Sequence, residues 1–183
     1  MAEVEALPRG VRGARVHLEE VEIALLQSLA LQMIDFVEPR ATDGDDPLVA
    51  LVGIDPHAEI PDDPALLRLL PDAYPDDQDA SAEFRRYTER DLRAAKADNA
   101  RAVATDLERS DATVDIDAER APAWLGFLND SRLTLGTRLG VTEDNHEALA
   151  GLPESDPRAG LFQVYDWLTF LQDSLVQRLL PSA

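Results

Sequence analysis

Four stretches of the chain repeat apolar residues at helical spacing and predict four main α-helices. They are Glu19–Val37, Asp79–Arg109, Ala118–Leu139 and Pro157–Leu180. The first is apolar over about half of its circumference, which predicts a central helix that touches several neighbours. The second is rich in Ala and Arg and has a thin apolar side, so we expect it to lie on the surface. Gly140 is expected to cap the third.

Two short segments alternate apolar and polar residues, as an exposed β-ribbon does. Arg15–Glu19 precedes the first predicted helix and Thr113–Asp117 precedes the third. We expect these two segments to pair as a two-stranded ribbon. Together the patterns predict a mostly α-helical fold, a bundle of about four main helices. It would form a single domain over residues 1–183, with its helical core over 11–180.

The segment Asp43–Asp79 differs in composition from the rest of the chain. It holds 11 acidic residues, one basic residue and six of the 12 prolines. Prolines followed by short apolar runs predict two helical turns within it, at Pro47–Gly53 and Pro64–Leu70. We therefore expect an acidic, proline-rich loop that wraps around the helices.

Charge and composition exclude several classes of function. The net charge of −19 disfavours nucleic acid and anionic membranes as partners, because phosphate binding relies on Lys and Arg. The chain has no cysteine, which excludes disulfides, thiolate nucleophiles and cysteine-bound metals. No apolar run reaches the length of a membrane span, and Met1–Leu7 lacks the pattern of a signal peptide. We therefore expect a cytoplasmic location.

The sequence contains no motif typical of catalysis or metal binding. The histidines at positions 17, 57 and 146 are scattered, and Asp43–Asp46 lacks the ligand spacing of a calcium loop. Phosphate-binding loops, glycine-rich dinucleotide turns and nucleophile elbows are absent as well. We therefore predict no metal and no cofactor, and a non-enzymatic role is favoured over an enzyme.

Arg132 is the most unusual position, because it lies on the apolar stripe of its predicted helix. The other members of that stripe are Ala121, Leu125, Leu128, Leu135 and Leu139. A guanidinium stays charged and has five N–H donors, so the protein or a ligand must supply acceptors. We favour a buried ion pair with an internal acid, such as Asp91 on the second predicted helix or one from the acidic loop. The alternative is an anion or metabolite site, whose further candidate residues are Arg138, Asp130 and Tyr74.

Two aromatic residues of the last predicted helix lie off its apolar stripe. Trp167 and Phe170 have Asp166 and Asp173 as near neighbours in sequence. If this face is exposed, it is a candidate interface for a protein partner or for a second copy of the chain. The equally open alternative is that another helix or the N-terminus covers it.

Four ordered motifs resemble the actinobacterial domain of unknown function number two thousand seventeen. They are Leu69–Asp77, Glu83–Glu89, Leu128–Val141 and Tyr165–Gln172, and the resemblance covers roughly residues 16–180. The chain departs from that family at Ala2–Leu7, which is acidic where family members tend to begin with a basic run. The family has no assigned activity. Its genes tend to lie near that of the ClpS adaptor, so the resemblance implies a link to Clp-type regulated proteolysis.

These observations favour a non-enzymatic interaction or regulatory protein. It would act through the face of Trp167 and Phe170 or through the acidic loop, with a protein or itself as the partner. Two alternatives stay open. One is an anion-binding protein or enzyme centred on Arg132, and the other is a purely structural homodimer.

Overall fold

A computed structural model describes residues 2–7, 13–38 and 59–179. Within these ranges the chain forms three strands and six helices, and the fold is mostly α-helical, as predicted. In chain order the elements are β1 Glu3–Ala6, β2 Gly13–His17, α1 Glu20–Val37, α2 Pro64–Leu69, α3 Gln78–Glu108, β3 Thr113–Asp117, α4 Ala121–Leu139, α5 His146–Ala150 and α6 Pro157–Leu179. The four main helices and the short helix at α2 correspond to predicted segments. The predicted turn at Pro47–Gly53 lies outside the described residues.

The helix α4 occupies the centre of the bundle. It packs against α2, α3 and α6, while α1 packs mainly against α3. Trp124, Phe127 and Leu128 of α4 are fully buried, and each such burial stabilises the fold by ~1.5–3 kcal/mol. The sequence-based assignment of α1 as the central helix is therefore wrong. Its apolar arc is wider than the surface that it buries, and Val21 and Leu31 are exposed.

A three-stranded antiparallel sheet, in the order β1-β2-β3, contains the predicted ribbon. β2 and β3 place Arg15 opposite Asp115, and these side chains form an ion pair of 2.6 Å. β1 adds a third strand, with Val4 opposite Val16. The sheet packs against α6 through β1 and β2. β1 is not predicted from the sequence, because its four residues include two glutamates and only one large apolar side chain.

The helix α3 departs most from its predicted environment. The large apolar residues Phe84, Tyr87 and Leu92 of α3 are exposed, by 43, 54 and 46%. The buried face holds Ala97, Ala100, Val103 and Leu107, together with the charged Arg85 and Glu89. Small side chains let the neighbouring helices approach closely, and a paired charge can be buried where a lone one cannot. α3 is therefore a packed element between α1 and α4 rather than a surface helix.

Candidate functional site

Arg132 lies in the middle of α4 and joins it to α6. Its Nε donates to Thr169 Oγ1 at 2.9 Å, and its Nη1 donates to Gln172 Oε1 at 2.7 Å. The guanidinium carbon is 5.7 Å from the centre of the Tyr165 ring, within reach of a cation–π attraction. All three partners lie on α6, so the side chain is held in one orientation by neutral groups.

The expected ion pair between Arg132 and Asp91 is wrong. Residues 43–58 of the acidic loop, the other expected source of a partner, lie outside the described residues. Asp91 is exposed on α3, and no carboxylate of the described residues forms an ion pair with Arg132. The Arg132 side chain is only partly buried, because the fully buried face of α4 is the one that carries Trp124, Phe127 and Leu128. Arg132 therefore lies at the margin of the core, where neutral acceptors on the next helix meet part of its hydrogen-bonding demand.

Arg132 differs in this respect from the other arginines that are at least partly buried in the described part of the chain. Arg15 pairs with Asp115, and both Arg85 and Arg93 pair with Glu89. Arg132 is thus the member of this set whose positive charge is not neutralised by a described carboxylate.

Arg132 lines a groove of about 530 Å³ at the meeting of α2, α4 and α6. Its polar lining comes from Arg68, Asn129, Arg132, Thr137, Thr142 and Tyr165. None of the described lining residues is acidic. Gly136 lets the helices approach here, since a Cβ atom at this position would lie 3.2 Å from the Tyr165 ring.

The predicted cap at the end of α4 also shapes this groove. Gly140 adopts the left-handed conformation with φ of 65°, and the amide of Val141 donates to the carbonyl of Gly136 at 2.8 Å. Glycine takes this conformation without the steric cost of a Cβ atom. The cap turns the chain so that Val141 and Thr142 form one wall of the groove.

The other members of the predicted Arg132 cluster lie elsewhere. Arg138 donates to Asp63 at 2.6 Å on the surface. Asp130 is buried and accepts from Lys96 Nζ at 2.8 Å. Burial raises the pKa of Asp130 above its usual value, and the Lys96 ammonium opposes that rise. Tyr74 is half exposed and meets Phe84 edge to face. These three side chains and Arg132 make separate contacts and do not form one cluster.

Of the two aromatic residues that define the predicted interface, Trp167 is covered and Phe170 is exposed. The indole Nε1 of Trp167 donates to Glu22 Oε1 at 3.1 Å, and the backbone amide of Ala2 donates to the same oxygen at 2.7 Å. The N-terminal segment therefore lies against Trp167, as one of the two alternatives supposed. Phe170 is 44% exposed.

Phe170 lines a second groove, of about 510 Å³, between α6 and the start of the chain. Val4 and Arg178 contribute to its walls. The two carboxylates near Phe170 are exposed: Asp173 accepts from Gln177 at 2.7 Å, and Asp166 lies 3.7 Å from His146. We refer to this surface as the Phe170 groove.

The comparisons with known proteins identify the family. Residues 1–179 match the model of the domain of unknown function DUF2017. The chain belongs to the DUF2017 family. It is 35% identical to the oxidative stress regulator AosR of Mycobacterium tuberculosis, over 92% of this chain and 83% of that protein. It is 33% identical to the putative oxidative stress regulator AosR of Mycobacterium leprae, over 88% of this chain and 80% of that protein. No solved structure matches.

The four motifs that carry the DUF2017 resemblance form two pairs, and the two motifs of each pair contact each other in the fold. Leu128–Val141 supplies Arg132 and Gly136, and Tyr165–Gln172 supplies the three partners of Arg132 on α6. The other two motifs, Leu69–Asp77 and Glu83–Glu89, meet at Arg85. Each pair thus surrounds one guanidinium at a junction between elements.

The Arg85 junction of this DUF2017 chain is a buried ion network, and Arg85 is not among the site residues predicted from the sequence. Arg85 donates to Glu89 at 2.6 Å, to Asp72 at 2.8 Å and to the carbonyl of Leu70 at 3.1 Å. Arg93 donates to Glu89 and to the carbonyl of Val37. The sequence signal for this network is that Arg85 and Arg93 each lie four residues from Glu89, a spacing that favours ion pairs on one helix face. It does not show that the network is buried, so its role in joining α1 and α2 to α3 appears only in the fold.

Two general features of the described part of this DUF2017 chain bear on function. No three histidine, aspartate or glutamate side chains there come together as a metal ion would require. None of the helices in the described ranges combines the length and the apolar character that crossing a bilayer requires.

Proposed function

We propose that this protein is a non-enzymatic regulator of the response to oxidants and acts by binding a protein partner. The observation that carries the proposal is the 35% identity to oxidative stress regulators, because it extends over 92% of this chain. The family match over residues 1–179 covers both arginine junctions and the Phe170 groove.

The absence of cysteine shapes this proposal. Proteins commonly detect oxidants with exposed thiolates of low pKa, and this chain has no thiol. The methionine within the described residues, Met33, is 5% exposed in α1. In this proposal the chain is a downstream regulator, and the oxidant signal reaches it through a partner or a bound ligand.

The Phe170 groove is the proposed contact surface. An exposed aromatic side chain beside an open groove is the kind of anchor around which protein interfaces form. Glu3 and Arg178 line the groove, and two exposed carboxylates, Asp166 and Asp173, flank Phe170 on α6, so acidic groups outnumber basic ones around the aromatic ring. We therefore infer a partner segment that has an apolar anchor flanked by Lys or Arg.

The family resemblance supplies the first partners to be tested. The resemblance implies that genes of this family lie near that of the ClpS adaptor, so purified ClpS and its protease are the first candidates. In this version of the proposal, binding at the Phe170 groove would direct or withhold substrates of regulated proteolysis.

The test is complementation of a deletion strain of the host that encodes this chain. We expect deletion to change survival and transcript or protein levels after hydrogen peroxide. The wild-type chain should restore them, and Phe170→Glu should not, because it places a charge at the anchor of the contact. Quantitative affinity capture with the same variants, and binding to purified ClpS, would then identify the partner.

Leu161→Glu is the matched control. Leu161 lies on the same helix, is 46% exposed, and is nine residues away, which places it on the opposite side of α6. It should complement like the wild type. Full complementation by Phe170→Glu would rule out this groove as the contact. An unchanged peroxide response on deletion would overturn the regulatory role itself. Loss of self-association in Phe170→Glu, measured by sedimentation, would reassign the groove to a homodimer.

A further inference from the structure

The charge of Arg132 is the starting point for an inference that is independent of the partner contact. We propose that the groove beside Arg132 binds a small oxyanion, a metabolite bearing a phosphate or a carboxylate. No described carboxylate neutralises this guanidinium, although it is partly buried. A charged donor in such a place gains more from an anionic ligand than an exposed one does, because water screens the interaction less.

The hydrogen bonds of Arg132 leave part of the guanidinium available. Nε and Nη1 donate to Thr169 and Gln172, and Nη2 makes no hydrogen bond to a described residue. The contacts with α6 fix the plane of the group before any ligand arrives. A pre-oriented guanidinium binds an oxyanion with little loss of side-chain entropy.

Arg68 provides a second positive charge in the same groove. It lies on α2, is exposed, and makes no hydrogen bond or ion pair with a described residue. The amide of Asn129 and the hydroxyl of Tyr165 add neutral polar groups to the wall. In a chain with a net charge of −19, a groove with two arginines and no acidic described residue is a local exception. This local positive charge favours the binding of anions.

A ligand at this position would contact α2, α4 and α6 together. It would tie the two arginine-bearing helices to each other and to the helix that carries Phe170. The groove therefore offers a place where a metabolite level could act on the protein, whether or not the Phe170 groove binds a partner.

Thermal unfolding of the full chain tests the inference directly. The probes are inorganic phosphate and succinate, each compared with sodium chloride at the same ionic strength. With one probe at ten times its dissociation constant, the midpoint should rise by about 3 to 6 °C above the chloride control. The probe that acts identifies the oxyanion class. Equal midpoints in phosphate, succinate and chloride would overturn the proposal.

Three variants locate the site. Arg68→Gln should keep the midpoint of the free protein and weaken the probe effect, since Arg68 has no described partner to lose. Arg132→Gln should abolish the probe effect. Arg138→Gln is the matched control, because it removes an arginine of the same helix that points to Asp63 instead of the groove, and it should respond like the wild type. An equal probe effect in all three variants would place binding elsewhere and refute the assignment.

A second readout covers the case in which Arg132→Gln does not fold. In wild-type protein labelled with ¹⁵N-arginine, titration with the active probe should shift the Nε–H resonance of Arg132 and leave that of Arg138 in place. If the Arg132 resonance does not move while the midpoint rises, the proposed site is wrong.

Discussion

Arg85 and Arg132 show two ways of holding a guanidinium away from bulk water. Arg85 is 5% exposed and is surrounded by Glu89, Asp72 and a backbone carbonyl. Arg132 is more open, and its acceptors among the described residues are neutral. The first arrangement neutralises the guanidinium and is structural, because removing one partner would leave a buried charge. Its Nε is buried with no acceptor among the described residues. The second leaves a charge that a ligand can still use.

Ala112 is a residue whose backbone conformation is unfavourable for its side chain. It precedes β3 with φ of 67°, and its carbonyl accepts from the amide of Leu18 at 2.8 Å. Ala112→Gly removes the Cβ strain and keeps that hydrogen bond. We expect the free energy of unfolding to rise by up to ~1 kcal/mol and the midpoint by about 2 to 4 °C.

The control for this change is Ala102→Gly, the same substitution at an exposed position inside α3. There the glycine should lower the free energy of unfolding by ~1 kcal/mol, because helix interiors disfavour it. Calorimetry of both variants measures the difference. A lower midpoint for Ala112→Gly than for the wild type would contradict the strain argument.

At the scale of residues, the sequence identifies exceptions but not their partners. The helical stripe of α4 marks Arg132 as unusual from its spacing alone. Its acceptors lie 37 and 40 residues further along, on another helix. They are Thr and Gln, which carry no charge pattern that would connect them with an arginine. The partner could therefore be found only once α4 and α6 had been placed side by side.

At the scale of elements, a charged pair joins α3 and α4. Lys96 Nζ lies 2.8 Å from Asp130 Oδ1, and the two side chains are 18% and 6% exposed. Lys96→Met leaves the Asp130 carboxylate buried without its partner. We expect the free energy of unfolding at pH 7 to fall by ~3 kcal/mol. Adding Asp130→Asn removes the lone charge and should restore most of the loss, as denaturant titration of both variants would show.

The pH dependence of Lys96→Met follows from the direction of the Asp130 pKa. Burial already raises it, and the variant lacks the ammonium that opposes the rise. A carboxyl whose pKa is higher in the folded state than in the unfolded state loses stability as the pH rises through that folded pKa. The deficit relative to the wild type should therefore be smaller at about pH 5 than at pH 7. A deficit that grows on acidification would show that Asp130 is not the group responsible.

The sequence predicts the position of some helices well but does not predict the environment of others. α4 and α6 follow from apolar periodicity, and Gly140 marks the end of α4 correctly. The environment of α3 does not follow, because its large apolar residues Phe84 and Tyr87 face outward and Arg85 faces inward. Periodicity assumes that apolar residues define the buried face. That assumption fails where small residues and neutralised charges do the packing.

At the scale of the whole molecule, 36 acidic residues stand against 17 basic ones. Many of the described arginines are already held in ion pairs, so the surplus of carboxylates repels itself across the surface. Raising sodium chloride from about 0.01 M to about 1 M shortens the screening length from ~30 Å to ~3 Å. We expect the thermal midpoint to rise over this series.

The same salt series near the sequence pI of about 4.3 is the control, because the net charge is then close to zero. At that pH the thermal midpoint should change less with salt concentration. A midpoint that falls with salt at pH 7 would show that the ion pairs outweigh the repulsion. The sequence gives the size of this surplus directly. The sequence does not show which surface is free of acidic residues. The groove beside Arg132 is such a surface among the described residues, and it arises from the packing of α2, α4 and α6.

The contact of Trp167 with Glu22 also equips the protein with two separate fluorophores. Trp124 is fully buried in α4, and Trp167 is partly buried under the first residues of the chain. With Phe at position 167, the emission of Trp124 reports only the opening of the core. With Phe at position 124, the emission of Trp167 reports the release of the N-terminal strand beside Phe170. The chain thus carries its own optical probe for events at that edge, distinct from a signal for complete unfolding.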